Sequence, residues 1–234
     1  MVPKVIYGFW ESDRPNKIID ECIQTWYKHN PNWKIILLNN SNVNEYAPES
    51  LSIPCNSIQQ FTDFVRLEIL SKYGGVWLDV SIYMNTSLDN ILKNYTQYEL
   101  IGFKNPIRRD TYVMENWFIA STKTCVFIQK WKEDFFKLRH VSIEEYLSYI
   151  PERYKKDVED PMYLAQNVSW NYCFHQFPNL RHTIYLFPSH NGPFKLQWMA
   201  KWDSLEYKRI YPLLKETIKP FIKLTHNERN AIMN

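Results

Sequence analysis

The sequence FTDFVRLEILSKYGGVWLDVS, residues 61–81, is the most informative part of this 234-residue chain for its fold. A helix is predicted over residues 58–72 and a strand over residues 76–83. Gly74 and Gly75 separate the two elements, in a chain that has only five glycines. Glycine adopts positive φ without a Cβ penalty, so the pair permits a sharp turn. The unit predicts an α/β protein.

The predicted strand alternates in character, and Asp79 lies on its polar face. The apolar face comprises Val76, Leu78, Val80 and Ile82, and the other face Trp77, Asp79, Ser81 and Tyr83. A carboxylate in such a strand is costly to bury without a partner, so Asp79 requires a metal ion, a cation or hydroxyl donors. A purely structural ion pair with a lysine or arginine would also satisfy it.

Asp63 and Arg66 lie three residues apart and therefore share one edge of the predicted helix. Leu67 and Leu70 flank this edge, which predicts that the helix is covered on both sides and that the pair is only partly exposed. A surface ion pair at this spacing contributes a few tenths of a kcal/mol and needs no function. Taken alone, the pair therefore indicates nothing beyond a stable helix.

The first forty residues predict a β-α-β unit, which favours parallel strand pairing. Its strands are expected at residues 5–10 and 34–38, and Ser12 or Asp13 is the expected N-cap of the helix, with Pro15 in the first turn. Later elements are predicted as strands near residues 98–103, 116–120 and 184–188, a helix at about 123–139, and a mostly helical stretch over 141–177. The fold class is α/β.

Composition limits the classes of partner. Net charge is only +3, but residues 190–234 hold eight basic and four acidic side chains. This surplus suits a diphosphate or an acidic lipid surface, although a solvated helix face has the same pattern. Aromatic residues reach 16% of the chain, which suits stacking on sugar rings as well as a plain core. Dense basic runs and zinc-finger spacings are absent from the sequence, so nucleic acid is not an expected partner.

Cysteine spacing and missing motifs exclude further classes. The four cysteines form no C-x-x-C pair, which argues against a disulfide framework and favours a reducing, cytoplasmic compartment. The sequence contains neither G-x-G-x-x-G nor G-x-x-x-x-G-K-[ST], so dinucleotide oxidoreductases and P-loop NTPases are excluded. A glycoside hydrolase with two carboxylates stays open at this point.

Residues 62–79 match nine positions of the pattern [ST]-D-x-x-R followed by L-x-x-Y-G-G-x-[WY]-x-D-x-D. The matching residues are Thr62, Asp63, Arg66, Leu70, Tyr73, Gly74, Gly75, Trp77 and Asp79. The segment resembles glycosyltransferases with a DXD sugar-binding motif, in the family 32-like and capsular-polysaccharide-synthesis group, with clostridial glucosylating toxins as more distant relatives. Further similar segments are VPKVIYGFW at 2–10, NWFIAS at 116–121, Gly192-Pro193 and KLTH at 223–226.

The resemblance implies a GT-A fold, a Rossmann-like, mostly parallel sheet flanked by helices. It places the donor at the carboxyl ends of the strands, which is general for open α/β sheets. It implies that Trp10 stacks on or flanks the base, that Asp63 and Arg66 hold the donor sugar, and that Asp79 serves the ribose, the sugar or the metal. Asp63, Arg66 and Asp79 are the expected catalytic residues. The residues expected to bind the donor are Tyr7, Trp10, Asn39, Asp63, Arg66, Tyr73, Gly75, Trp77, Asp79 and Ser81.

Ser81 departs from the family pattern, which usually has its second motif aspartate there. A neutral hydroxyl is a poorer ligand than carboxylate for Mn²⁺ or Mg²⁺, the ion expected to bridge the diphosphate. The metal can bind weakly through Asp79, with Ser81 and His226 as weaker ligands. Alternatively, a basic residue such as Lys201 or Lys223 neutralises the diphosphate, or the protein binds without turnover. Replacements at this position occur in the capsular subgroup, so a divalent cation is the expected cofactor.

The sequence as a whole predicts a glycosyltransferase that moves a sugar from a nucleotide donor, expected to be a UDP-sugar, to a glycan or lipid-linked glycan with retention. The alternative is a catalytically silent module that binds a nucleotide sugar or a glycan. One domain is expected over residues 1–234, with the donor core at about 1–135 and the acceptor side at about 140–234. Its aromatic residues Trp198, Trp202, Tyr207 and Tyr211 either meet the acceptor or pack a helix. The basic C-terminal part is expected to touch the inner face of a membrane.

Overall fold

The structure, a computed structural model, describes residues 1–12, 15–105, 112–190 and 192–233. The strands are β1 Val5–Phe9, β2 Lys34–Leu38, β3 Gly75–Leu78, β4 Ile82–Met84, β5 Leu100–Lys104, β6 Met114–Ser121, β7 Ile184–Pro188 and β8 Phe221–Lys223. The helices are α1 Lys17–His29, α2 Val43–Tyr46, α3 Ile58–Tyr73, α4 Leu88–Leu92, α5 Val126–Phe135, α6 Ile143–Tyr149, α7 Glu152–Lys155, α8 Ala165–Gln176, α9 Lys195–Met199, α10 Ser204–Leu214 and α11 His226–Met233.

The main sheet has six strands in the order β2-β1-β3-β6-β5-β7 and is mostly parallel, which confirms the predicted fold class. Strand β6 pairs antiparallel with both β3 and β5, while the β1–β2, β1–β3 and β5–β7 pairs are parallel. The amino end of β6 therefore lies at the same edge of the sheet as the carboxyl ends of β1 and β3.

Helix α1 begins later than the sequence suggested. Its N-cap is Asn16, an extended residue whose side chain accepts a hydrogen bond from the backbone N–H of Ile19 at 3.0 Å. The prediction of Ser12 as the cap is wrong, and Pro15 precedes the cap instead of lying in the first turn, because Asn16 satisfies the free amide. The other predicted cap, Asp13, lies outside the described residues.

The two adjacent glycines make the predicted turn between α3 and β3. Gly74 has a φ of 65° and donates its N–H to the carbonyl of Leu70 at 3.0 Å, which ends the helix. Gly75 has a φ of 101° and begins the strand. A Cβ on Gly74 would lie 2.6 Å from the backbone nitrogen of Lys123. Glycine is therefore required at this position both by its positive φ and by the close approach of the backbone at Lys123.

The predicted continuous strand over residues 76–83 is wrong, because the chain turns after Leu78. The amide of Ile82 donates to the carbonyl of Asp79 at 3.0 Å and closes a turn. Strand β4 then leaves the main sheet and pairs antiparallel with β8, so that Ile82 faces Lys223 in register. Asp79 and Ser81 therefore lie in a turn at the sheet edge, and strand alternation does not set their directions.

Apolar side chains cover both faces of the sheet. Val76 and Leu78 pack with α1, α10 and β8 in one buried cluster, whereas Trp77 packs with α3, α5 and α8 in the other. The helices thus cover the faces and leave the carboxyl edge accessible. None of the described helices has the length and apolar character needed to cross a bilayer.

Candidate functional site

A cavity of about 400 Å³ opens at the carboxyl edge of the main sheet. Trp10, directly after β1, Asp79, directly after β3, and Glu115 and Asn116, in the first part of β6, all contribute to its wall. The antiparallel direction of β6 is what brings its first residues to this edge. The amino-terminal half of α3 forms one side through Thr62, Asp63 and Arg66, among others.

Asp63 and Arg66 form a buried ion pair on that side of the cavity. Their residue exposures are 8% and 4%, so the prediction of a partly exposed pair understated the burial. The Nη1 group of Arg66 donates to Asp63 Oδ1, and also to Gln166 Oε1 at 2.8 Å. Helix α8 carries Gln166 and covers one side of the pair. The sequence did not predict this contact. Burial raises the pKa of the Asp63 carboxyl, and the guanidinium of Arg66 counteracts it.

Gln166 is a site residue that the sequence did not reveal. Its side chain is fully buried, and its Nε2 donates to the backbone carbonyl of Asp63 at 2.6 Å. Asn116 donates through Nδ2 to both Asp63 Oδ1 and Gln166 Oε1, at 3.1 and 3.0 Å. The available signal was the run of polar residues, Gln166, Asn167, Ser169 and Asn171, on a helix buried on all sides. Such residues require partners.

Asp79 joins three cationic or N–H donors at the centre of the cavity. Its Oδ1 accepts from Trp77 Nε1 at 3.1 Å and lies 3.4 Å from Arg66 Nη2, and its Oδ2 accepts from Lys223 Nζ at 2.7 Å. The Arg66 guanidinium also lies over the Trp77 ring, 5.2 Å from its centroid. Burial opposes ionisation of Asp79, but Lys223 and Arg66 outweigh it and hold the pKa of this carboxyl below its ordinary value.

Lys223 also donates to Ser81 Oγ, at 2.9 Å, so its ammonium lies between the two positions of the motif. The side chain of Lys223 is only 10% exposed and belongs to β8. Lys223 and Lys201 are the two lysines that the sequence offered as alternative cations. Lys201 is exposed with a positive φ of 50° and does not line this cavity.

The structure brings six of the ten predicted donor-binding residues to this cavity and leaves the other four outside its wall. Tyr7 is buried and stacks on Tyr73, with ring centroids 6.5 Å apart, on the face covered by α3. Gly75 approaches Val5 in the sheet interior. Asn39 follows β2, and its side chain accepts hydrogen bonds from Ser41 and Asn42. A donor-binding role for these four stays a prediction.

The side chains predicted to hold a metal do not form a metal site. Within the described ranges, no three His, Cys, Asp or Glu side chains come together in a way that could hold an ion. His226 lies at the wall of the cavity but is exposed, and its Nε2 contacts Asn230 at 2.8 Å. Asp79 Oδ2 and Ser81 Oγ both accept hydrogen bonds from Lys223 Nζ.

A second cavity, of about 470 Å³, is larger but chemically simpler. Its described wall is built from aromatic, proline and amide side chains, with Lys219 as the charged residue and no carboxylate. Glu115, by contrast, lines the first cavity, where burial raises its pKa to about 7. The first cavity therefore combines carboxylates, cations and aromatic faces, a lining that can hold a polar small molecule.

Sequence comparison identifies a family. The profile described as "Capsular polysaccharide synthesis protein" matches residues 2–231. The O-glycosyltransferase braB of Annulohypoxylon truncatum is 30% identical over 157 residues, which is 58% of this chain and 37% of that protein. This chain thus spans little more than a third of that relative.

Comparison of structures supports the same fold. The glycosyltransferase GlyE of Streptococcus pneumoniae TIGR4 superposes with a TM-score of 0.52 and 10% identity, over 97% of this chain and 55% of that chain. The galactosyltransferase LgtC, in complex with donor and acceptor sugar analogues, gives a TM-score of 0.50 and 14% identity, over 94% of this chain and 86% of its own. At these identities the likeness concerns the fold alone, which is of the GT-A type.

Proposed function

The chain belongs to the capsular polysaccharide synthesis family, and from that membership we propose that it is a glycosyltransferase that uses a nucleotide sugar, with a UDP-sugar as the expected donor. The observation that carries the proposal is the buried ion pair of Asp63 and Arg66 together with the partly exposed Asp79 at the carboxyl edge of the sheet. Ligands of open α/β sheets bind at this edge. Relatives named as glycosyltransferases support the same activity.

The polar groups of the cavity suit a donor sugar flanked by its nucleotide. Arg66 Nε and Trp10 Nε1 are buried N–H groups without a hydrogen-bond partner among the described residues. Unsatisfied buried donors are rare in folded proteins, so these two are expected to meet a ligand. Asp63 and Asp79 accept hydroxyl hydrogens in this arrangement, while Trp10 presents an aromatic face for the base.

The proposed reaction breaks the bond between the anomeric carbon and the diphosphate oxygen, and the electron pair leaves with the diphosphate. The acceptor hydroxyl oxygen forms the new bond on the same face, and its proton passes to the departing diphosphate oxygen, so that configuration is retained. Fixed positive charge beside the diphosphate stabilises the charge that develops there. Arg66 and Asp63, whose positions are fixed by Gln166 and Asn116, orient the sugar for attack.

A nucleotide-release assay tests the activity directly. Wild-type protein and Asp79→Asn are incubated with UDP- and GDP-sugars, and free nucleotide is measured. We expect slow hydrolysis of at least one donor by the wild type and its loss in Asp79→Asn. Asp20→Asn, a change at an exposed position on α1, serves as the matched control. A wild type that binds a donor without releasing nucleotide, even with glycan acceptors added, would instead support the silent binding module.

The acceptor side is proposed to include an exposed surface patch next to the cavity, formed by Trp198, Met199, Trp202 and Leu205. Trp198 and Trp202 are 53% and 54% exposed, whereas Tyr207 and Tyr211 are buried and pack the core. The ring of Trp202 lies 6.5 Å from that of Phe194, which lines the cavity. Lys195, Lys201 and Lys208 are exposed around the patch.

An anionic membrane surface is the occupant that we propose for this patch. Tryptophan rings favour the bilayer interface, and nearby lysines attract acidic lipid headgroups. A lipid-linked acceptor would then reach the cavity past Phe194 from the membrane side.

A further inference from the structure

Lys223 is placed where the divalent ion of a two-aspartate motif would be expected. Its Nζ lies 2.7 Å from Asp79 Oδ2 and 2.9 Å from Ser81 Oγ, so one ammonium bridges the first and the third position of the motif. The contact is built into the fold. Lys223 pairs with Ile82 in the β4–β8 sheet, and the amide of Leu224 donates to the carbonyl of Ser81 at 3.0 Å.

The charges balance in the same way as in a metal site. Two aspartates and a divalent ion sum to zero, and so do one aspartate, a neutral serine and one lysine. A divalent ion bound to Asp79 Oδ2 would have to approach the ammonium that already bonds this oxygen, and like charges at such a separation repel strongly in a partly buried site. Serine in place of the second aspartate is therefore matched by the lysine. Ser81 and Lys223 together therefore form a cationic site, and not a metal site that has lost one ligand.

We propose that Lys223 supplies the positive charge for the donor diphosphate, and that this protein binds its nucleotide without a divalent cation. An ammonium has three N–H donors, and two of them are directed to Asp79 and Ser81. The third is left for a diphosphate oxygen in the cavity that Lys223 lines. Arg229, half-buried on α11, lines the same cavity and adds a second cation. The inference rests on the proposed nucleotide-sugar site.

Calorimetric titration with UDP and GDP tests the inference without requiring turnover. The wild type, stripped with EDTA, is expected to bind one of the two nucleotides with an affinity within about twofold of that in Mn²⁺. Lys223→Met, which keeps the aliphatic stem but removes the charge, is expected to lose roughly tenfold or more in affinity. Lys93→Met, at an exposed position directly after α4 and outside the cavity, is the matched control and should bind as the wild type does.

The outcomes separate the two proposals. Binding that appears only when Mn²⁺ is added would overturn the role of Lys223 and leave the donor site standing. No binding of either nucleotide in any condition would overturn both. The double variant Ser81→Asp, Lys223→Met restores a pair of carboxylates and is expected to bind nucleotide only with Mn²⁺. A double variant that gains nothing from Mn²⁺ would contradict the exchange of ammonium for metal, and thermal melting shows whether each variant is folded.

Discussion

Gln166 and Asp63 connect two helices at the base of the cavity, since the side-chain amide of Gln166 donates to the backbone carbonyl of Asp63 at 2.6 Å. The same side chain accepts from Arg66, so it fixes both members of the ion pair. Because Gln166 does not line the cavity, we regard it as a positioning residue that acts through Asp63 and Arg66.

Gln166→Leu keeps the volume and removes every one of these hydrogen bonds. Arg66 Nη1 and Asn116 Nδ2 then keep Asp63 Oδ1 as their partner, and the Asp63 carbonyl loses the donor from Gln166. We expect unfolding free energy to fall by about 1–3 kcal/mol, because three hydrogen bonds of a mostly buried network are lost. Nucleotide affinity should fall as well, measured by calorimetry well below the melting temperature. Gln129→Leu, which loses one bond to the Ser71 carbonyl far from the cavity, should lower stability without lowering affinity.

The turn between α3 and β3 gives a prediction about backbone conformation. Gly74→Ala places a Cβ at a φ of 65° and 2.6 Å from the backbone of Lys123. Strain and collision together are expected to cost about 3 kcal/mol or more, measured as a lower urea midpoint. The comparison is Gly102→Ala, whose Cβ would meet the flexible end of Met114. Equal losses in the two variants would show that the glycine turn is not specially constrained.

The parts of the fold that the sequence predicted are those with local causes. The end of α3 and the start of β3 depend on Gly74 and Gly75 themselves, and the packing of α1 follows from its own periodicity. The break in the strand after Leu78 has no local cause. It arises because β4 leaves the main sheet and pairs with β8, which lies far along the chain.

The contacts within the site also differ in whether their causes are local in the sequence. Asp63 and Arg66 are one helical turn apart and were predicted as a pair. Gln166 is 100 residues from Arg66, and Lys223 is 144 residues from Asp79. Spacing carries no information about contacts at such separations, so only the fold shows that Lys223 contacts both Asp79 and Ser81.

The raised pKa of Glu115 leads to a prediction of how the free energy of unfolding depends on pH. Burial and Asp79 raise the pKa of Glu115 from 4.5 to about 7, although hydrogen bonds from Trp117 and Asn105 and the charge of Lys223 lower it. The folded state therefore holds a proton that the unfolded chain releases between these values, so this group's contribution to stability falls as pH rises from 4.5 to about 7. Glu115→Gln should flatten that decline by up to about 3 kcal/mol in pH-dependent urea unfolding. Glu133→Gln, at an exposed position on α5, should leave the slope unchanged.

The patch of Trp198, Met199, Trp202 and Leu205 predicts selective binding to acidic membranes. We expect the protein to co-sediment with vesicles that contain phosphatidylserine and not with vesicles of phosphatidylcholine alone, and added salt should weaken the binding. Trp198→Ala combined with Trp202→Asn should lower the partition coefficient roughly tenfold. Asparagine is chosen because Trp202 has a φ of 62°, which asparagine tolerates better than alanine. Tyr149→Ala removes an aromatic side chain of similar exposure from another surface and should not change binding. If the double variant sediments like the wild type, or if both vesicle types bind equally, this patch is not the membrane contact.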